Sequence, residues 1–211
     1  QNISIRILIL ILGYIFKFFY IKRLNNFEKI IVNSKYTKKK LNNYTKKKIE
    51  VIYPPIKNFN LKKKKIKKKF FLSNSRHEIE KNIDIAIKVF KKVNKYNLII
   101  CSTGSQSSKL KLISKGNDKI KFIGLVNEKK YKRLLNESIA TINLGKNEDF
   151  GMSAIEGMSA GKPAIVLNDG GYLETCKDGF NSFVLNKKDI KNNLFKLLKY
   201  FNLNKSKQME K

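Results

Sequence analysis

Two carboxylates and a run of small residues mark Glu148 to Pro163, E-D-F-G-M-S-A-I-E-G-M-S-A-G-K-P, as a stretch that can do chemistry. Glu148 stands in a polar loop, Lys146 to Asp149, that follows an apolar run ending at Leu144. Gly151, Ser153, Ala154, Gly157, Ser159 and Ala160 then suit a helix packed closely on its surroundings. Gly161 reads as its stop, and Pro163 opens a new apolar strand, Ala164 to Leu167. Eight steps of about 100° do not close whole turns, so one continuous helix would not superpose Glu148 on Glu156. The pattern instead predicts Glu148 in the loop and Glu156 on the helix, both facing the space above the helix N-terminus. Such an N-terminus offers unpaired N–H groups and partial positive charge, which suit a phosphate. Small residues let a ligand approach the backbone, and two carboxylates beside it can accept hydrogen bonds from sugar hydroxyls.

A second group lies in Ser75 to Asn82, just after the apolar segment Phe70 to Ser73. Arg76 offers a planar fork for two phosphate oxygens, and Lys81 a point charge at the start of the following helix. Alone, these residues read as ordinary surface cations on a capped helix. Set beside Glu148 and Glu156 at the same sheet edge, they favour a phosphate-binding reading. Two cations and a helix dipole can neutralise a leaving diphosphate without a metal. The one histidine, His77, and two cysteines, Cys101 and Cys176, build neither a metal site nor a disulfide framework.

These residues carry a resemblance. E-D-F-G-M-S-A-I-E-G-M-S-A-G-K-P-A-I-V resembles the E-x7-E motif of the family 4 retaining glycosyltransferases, which have the GT-B fold. Ser75 to Asn82 is similar to the family's S-R-x(4)-K-N segment, and Gly170 to Glu174 to its G-G-x-x-E turn. The likeness runs from about Phe27 onward, where I-I-V-N-S-K-Y-T and V-I-Y-P-P-I resemble the passage from the N-terminal to the C-terminal domain. It implies that Arg76 and Lys81 bind the donor pyrophosphate, that Glu156 holds the ribose hydroxyls, and that Glu148 sits near the transferred sugar as the catalytic carboxylate. Phe150, Gly151, Met152 and Ser153 join the substrate site, the last three through backbone N–H groups. The base is expected near Gly124 to Glu128. Asn147 to Met152 looks most like mannosyltransferases that use GDP-mannose.

The elements that must position these groups alternate. Strands are expected at Phe70 to Ser73, Leu98 to Cys101, Ile120 to Ile123, Ile139 to Leu144, Ala164 to Leu167 and Ser182 to Leu185. Helices fall between them: Ile79 to about Val93, one through Leu110 and Ile113, Glu128 to Leu135, and a short one near Cys176. A last helix carries Ile190, Leu194, Leu197, Leu198 and Phe201 on one stripe. Such alternation predicts an α/β fold, a Rossmann-like parallel sheet with helices on both faces, as in the C-terminal domain of a GT-B fold. Ligands in such sheets bind at the carboxyl ends of the strands, where the glutamates lie.

Upstream, Ile3 to Ile21 is apolar and aromatic, with ten uncharged residues between Arg6 and Lys17. That run falls short of the roughly 18–20 residues that span a bilayer, and no small-residue cleavage site follows. A helix is expected, buried against further sequence or lying at a membrane interface, burial being favoured. Phe27 to Asn33 reads as a buried strand, Ser34 to Leu41 as a basic helix, Ile49 to Tyr53 as a second strand, and Lys62 to Lys69 as a basic connector. The expected division is 1–53, the end of a truncated N-terminal acceptor domain, and 54–211, a nucleotide-sugar-binding domain. A start at Gln1 rather than Met suggests a fragment or processed product.

Lys and Arg number 46 against 16 Asp and Glu, a net charge of +30. The excess is lysine scattered through well-patterned elements, which points to compositional bias over a dedicated polyanion site. Lysine also reads bases poorly. A polybasic RNA-binding module remains the alternative from another class, but the aromatics sit at core-periodic positions. A two-carboxylate glycosidase is disfavoured because hydrolysis needs no phosphate cradle. The expectation is therefore a metal-independent, retaining hexosyl transfer from a nucleoside diphosphate sugar to a glycan or lipid-linked acceptor. It is placed in the cytoplasm or at the inner face of an anionic membrane, with no cofactor and no specific nucleic acid. A donor-binding fragment inactive without its N-terminal domain is the second alternative.

Overall fold

The computed structural model describes residues 3–57, 59 and 70–209, so the connector Lys62 to Lys69 lies outside the described residues. The chain divides into two compact units, Gln1–Pro54 and Pro55–Lys211.

The first unit holds helix α1 (Ile3–Leu24), strand β1 (Ile30–Val32), helix α2 (Lys35–Leu41) and strand β2 (Ile49–Val51). The strands are parallel, with Ile30 opposite Ile49 and Val32 opposite Val51; Leu24, Ile30, Val32 and Ile49 form the buried cluster, with Leu41 and Val51 packed against it. Ser34 caps α2 by accepting from the Thr37 N–H. Within this chain α1 is exposed, Leu24 being its only buried residue among those described. The helix is apolar all round rather than along one stripe, and two three-residue strands cannot cover it. The expected strand from Phe27 shortens for the same reason, leaving Phe27 and Ile31 exposed.

The second unit alternates as the pattern predicts. Its elements are β3 (Phe70–Ser73), α3 (Ile83–Val93), β4 (Asn97–Cys101), α4 (Ser107–Ser114), β5 (Ile120–Gly124), α5 (Glu128–Glu137) and β6 (Thr141–Asn143). There follow α6 (Met152–Ser159), β7 (Ala164–Leu167), α7 (Tyr172–Thr175), β8 (Ser182–Leu185), α8 (Ile190–Lys199) and α9 (Leu203–Gln208). The strands form one parallel sheet in the order β5-β4-β3-β6-β7-β8. Strand order reverses between β3 and β6, the switch point at which such sheets take ligands.

Both faces of the sheet are covered, and β3 shows how. Phe71 packs into the cluster of Ile87 and Phe90 from α3 and Leu194 and Leu198 from α8. Its neighbours Phe70 and Leu72 point the other way, into the cluster of Leu134 and Leu135 from α5. Burying each such side chain contributes about 1.5–3 kcal/mol.

Two departures bear on the site. The helix expected from Ile79 is broken: Ile79–Lys81 is a separate 3-10 turn, and Asn82 at φ +52° divides it from α3. Asparagine tolerates that left-handed backbone, and its Nδ2 donates to the Leu144 carbonyl at 2.7 Å. Ile79 is therefore exposed, and Lys81 lies in the turn rather than at the start of α3. At the far end, α8 stops at Lys199, and Phe201 reaches the core from a loop. The additional helix α9 then starts at Asn202, whose side chain accepts from the N–H groups of Asn204 and Lys205.

Candidate functional site

The loop after β6 is tied down before it presents anything. Asn147, at φ +52°, donates its N–H to Asp169 Oδ2 at 2.8 Å, and Lys187 Nζ donates to Asp169 Oδ1 at 2.7 Å. Burial pushes the Asp169 carboxyl up, but the Asn147 N–H and Lys187 outweigh it and hold it below the usual carboxylate range. The Gly171 N–H donates to the Glu148 carbonyl at 2.7 Å. The two glycines there serve this approach. A Cβ on Gly170, at φ +63°, would sit 2.3 Å from the Glu148 carbonyl oxygen, and one on Gly171 2.1 Å from that of Asp149.

So fixed, Glu148 turns its carboxylate toward the 3-10 turn. Lys81 Nζ donates to Glu148 Oε2 at 2.6 Å, and the two side chains are only 17% and 19% exposed. Gly145 lies against the pair, where a Cβ would be 2.8 Å from Glu148 Oε2 and 3.1 Å from the Tyr172 hydroxyl. Tyr172 is buried; that burial, with the Glu148 charge second, raises its hydroxyl well above its ordinary value. It remains a neutral wall.

Glu156 belongs to a different network. Tyr131 donates its hydroxyl to Glu156 Oε2 at 2.6 Å, and Asn74 Nδ2 lies 2.6 Å from the Tyr131 oxygen and 3.0 Å from the Ser153 carbonyl. A carbonyl only accepts, so the amide end of Asn74 is set by Ser153. Asn74 Oδ1 is consequently buried without a hydrogen-bond partner among the described residues, at a cost of about 1–3 kcal/mol. Burial, then the bond to Glu156, raises the Tyr131 hydroxyl, so it stays protonated. A cavity of about 330 Å³ opens here, lined by Lys57, Asn74, Ser102, Val126, Tyr131 and Glu156 among others. At its lip Glu128 pairs with Lys57 at 2.6 Å and Lys132 at 2.7 Å; the hydrogen bonds, Lys132 first, hold its carboxyl down to about 2.

Helix α6 links the two networks. Its N-cap, Gly151 at φ +86°, has no side chain to satisfy the first N–H groups. A Cβ there would come within 2.5 Å of the Tyr172 ring, and one on Gly157 within 2.6 Å of the Thr141 side chain. The small residues of this helix therefore serve packing against Tyr172 and β6 as well as access.

Of the residues expected at the site, Lys81 and Glu148 meet directly, while Glu156 pairs with Tyr131. Arg76 follows β3 and is exposed. Met152 and Ser153 are half-buried at the opening of α6, and the Ser153 carbonyl is engaged by Asn74. Phe150 is buried. Asn74 and Tyr131 were not anticipated. Asn74 directly follows the end of β3, the one signal that could have found it. Tyr131, among charged residues in E-K-K-Y-K-R-L-L, reads as an ordinary aromatic of an amphipathic helix. His77 is structural: its Nδ1 lies 2.9 Å from Ser107 Oγ, its ring meets Phe122 edge-on, and burial lowers its pKa. Cys101 and Cys176 are buried free thiols, pushed up by burial to about 12 and about 11.

With this geometry in view, residues 56–211 match the family model described as Glycosyl transferases group 1. The chain is 31% identical over 157 residues to the alpha-1,3/1,6-mannosyltransferase ALG2 of Dictyostelium discoideum, covering 62% of this chain and 37% of that protein. It is 27% identical over 132 residues to an uncharacterized glycosyltransferase of Methanocaldococcus jannaschii, covering 60% of this chain and again 37% of the relative. The chain thus spans well under half the length of these curated relatives. Among solved structures, a mutant TarM of S. aureus in complex with Fondaparinux, alpha-GlcNAc-glycerol and UDP superposes with a TM-score of 0.77 at 20% identity, over 90% of this chain and 40% of that one. Anabaena HepE in complex with UDP-glucose gives 0.77 at 18% identity, over 92% and 60%.

Proposed function

The chain belongs to the glycosyl transferases of group 1, and from that premise we propose that it is the donor-binding part of a retaining, family 4 glycosyltransferase. The proposed reaction moves a hexosyl group from a nucleoside diphosphate sugar to a hydroxyl of a glycan or lipid-linked acceptor. Mannose from GDP-mannose is favoured, supported by the identity to a mannosyltransferase and by the Asn147 to Met152 loop. The observation that carries this reading is the meeting of Lys81, after β3, with Glu148, after β6, at the switch point, and of Glu156 on α6 with Tyr131 on α5.

Each group then has a task. Arg76, Lys81 and the uncapped start of α6, Gly151 to Ser153, take the diphosphate and offset the charge that grows on it as the sugar leaves, with no metal required. Glu156 accepts from the ribose hydroxyls, and the cavity beside it, with Val126 and Ser102 in its wall, receives the nucleoside. Glu148 faces the transferred sugar as the catalytic carboxylate, with Lys81 holding its charge until the donor diphosphate competes for that cation. The first unit, through Pro54, is read as the end of an acceptor domain. Its exposed helix α1 extends through Arg6 and Lys17 to 22 residues, so the helix, unlike the ten-residue uncharged run within it, is long and apolar enough to cross a membrane, and this supports a place at the cytoplasmic face of an anionic bilayer.

The test is an asymmetry between the glutamates. Glu156→Gln keeps shape but loses charge assistance, and should weaken free GDP or UDP binding by about tenfold in titration calorimetry. Glu148→Gln should leave that affinity within about twofold while removing most transfer in a chain extended by its N-terminal domain. Equal behaviour of the two variants overturns the assignment.

A further inference from the structure

We propose that Tyr131, oriented by Asn74, is the positioning residue that fixes the Glu156 carboxylate for the ribose diol of the donor nucleotide, an inference that rests on the reading of Glu156 just given. The hydrogen bonds run in one direction. Ser153 accepts from Asn74, so Asn74 must present its NH₂ end; that same group donates to the Tyr131 oxygen, which leaves the phenol proton for Glu156 Oε2. Chained donors of this kind strengthen one another in a poorly solvated site.

The phenol itself is held. Its ring meets Phe59 edge-on at 6.0 Å and lines the cavity beside Glu156, and it stays protonated because burial, then Glu156, raises it. A glutamate on a helix has three side-chain torsions, and a vicinal diol is recognised only when both carboxylate oxygens are placed. A cation in the position of Tyr131 would place them but would neutralise the charge that the sugar hydroxyls need. A phenol places them and leaves the charge. One lone-pair position of Oε2 is used, and the rest of the carboxylate remains free to accept. The unpaired Asn74 Oδ1 fits the same account, because the amide is turned to serve Ser153 and Tyr131 at the expense of its own oxygen.

Titration calorimetry on the full chain tests this with UDP, GDP and their 2′,3′-dideoxy counterparts. Tyr131→Phe keeps the ring and removes the donor. It should weaken the ribonucleotides by about tenfold and leave the dideoxy compounds within about twofold, so that discrimination between the two sugars collapses. A merely structural tyrosine would weaken both kinds alike or neither, and either result overturns the inference. Asn74→Ser, which retains the phenol but withdraws the amide that orients it, should lower the same ratio by about threefold and serves if Tyr131→Phe fails to fold. An unchanged ratio there also counts against the inference. Glu156→Ala separates the two levels. If it collapses the ratio while Tyr131→Phe does not, the positioning role alone is wrong. If Glu156→Ala spares the ratio, or the unaltered chain binds neither ribonucleotide, the donor-site reading itself falls.

Discussion

The two glutamates of the site, Glu148 and Glu156, are held by opposite means. Glu148 gives its Oε2 to the ammonium of Lys81, a full counter-charge at 2.6 Å, with both side chains largely out of water. Glu156 gives its Oε2 to a neutral phenol at the same distance. In the proposed reading the first arrangement is shared: the Lys81 ammonium has three donors and would divide its charge between Glu148 and a diphosphate. The second is a mount that orients a carboxylate and leaves its charge available. Half-buried ion pairs draw much of their apparent strength from the penalty of separating them, so sharing the cation costs the Glu148 side less than losing it would. The comparison teaches that a pair of similar carboxylates eight residues apart can be prepared for different work by what stands behind them.

The largest effect should come from breaking the backbone under Glu148 alone. Gly170→Ala places a Cβ at φ +63° and 2.3 Å from the Glu148 carbonyl oxygen. The strain and overpacking together should cost about 2–5 kcal/mol in urea denaturation. Nucleotide discrimination by Glu156 should survive wherever the chain stays folded. A stability change below about 1 kcal/mol would mean that the loop yields easily and that Glu148 is not rigidly set.

Removing the cation is next. Lys81→Ala strips Glu148 of its partner and the diphosphate of one contact, so nucleoside diphosphate affinity should fall by about 1.5–3 kcal/mol in calorimetry. The matching nucleoside monophosphate should lose less. Equal losses would place Lys81 away from the terminal phosphate.

The strands were legible because apolar runs such as F-F-L-S and A-I-V-L are bounded by turn residues and recur between helical stripes. Strand β3, β7 and β8 fall on their expected residues. What failed was local and physical. A period of 3.6 carried Ile79 into α3, but a left-handed Asn82 resets the helix phase, a feature with no apolar signature. The α1 segment was expected to be buried against further sequence or to lie at a membrane interface; among the described residues only its Leu24 is buried, since two three-residue strands cannot cover it. In the site, Arg76, Lys81, Glu148 and Glu156 were picked out by the resemblance of their motifs to the family's, since two glutamates eight apart mean little alone. Asn74 and Tyr131 were not, since neither carries a charge and each matters only through a partner far along the chain. The role of Gly170 was visible as a turn; its cause, the Glu148 backbone lying against it, was not.

The smallest effect concerns acid. Asp169 holds the Asn147 N–H and Lys187, and these keep its folded pKa below the unfolded one. A depressed carboxylate contributes stability that is present above its unfolded value, near 3.9, and is lost as pH falls through the folded value. The Glu148 loop should therefore loosen below about pH 4, by about 1 kcal/mol. Asp169→Asn should remove that dependence, as followed by denaturation midpoints at pH 3 to 6. An unchanged acid slope in the variant would assign the loosening to other groups.

The reversal of strand order between β3 and β6 has a consequence for assembly. Lys81 and Glu148 stand 67 positions apart, and Asn74 and Ser153 stand 79 apart, each pair straddling that boundary. No short-range folding event makes either contact; both wait for the later strands to dock on β3, a slow step because a long loop must close before anything rewards it. The site therefore forms only once β6 and the elements after it have docked on β3. A nucleotide that touches both banks would act on the chain as a suture, holding shut the seam whose closure created its own binding place, and at a hundredfold excess over Kd it would add about 2.7 kcal/mol to the cost of opening it.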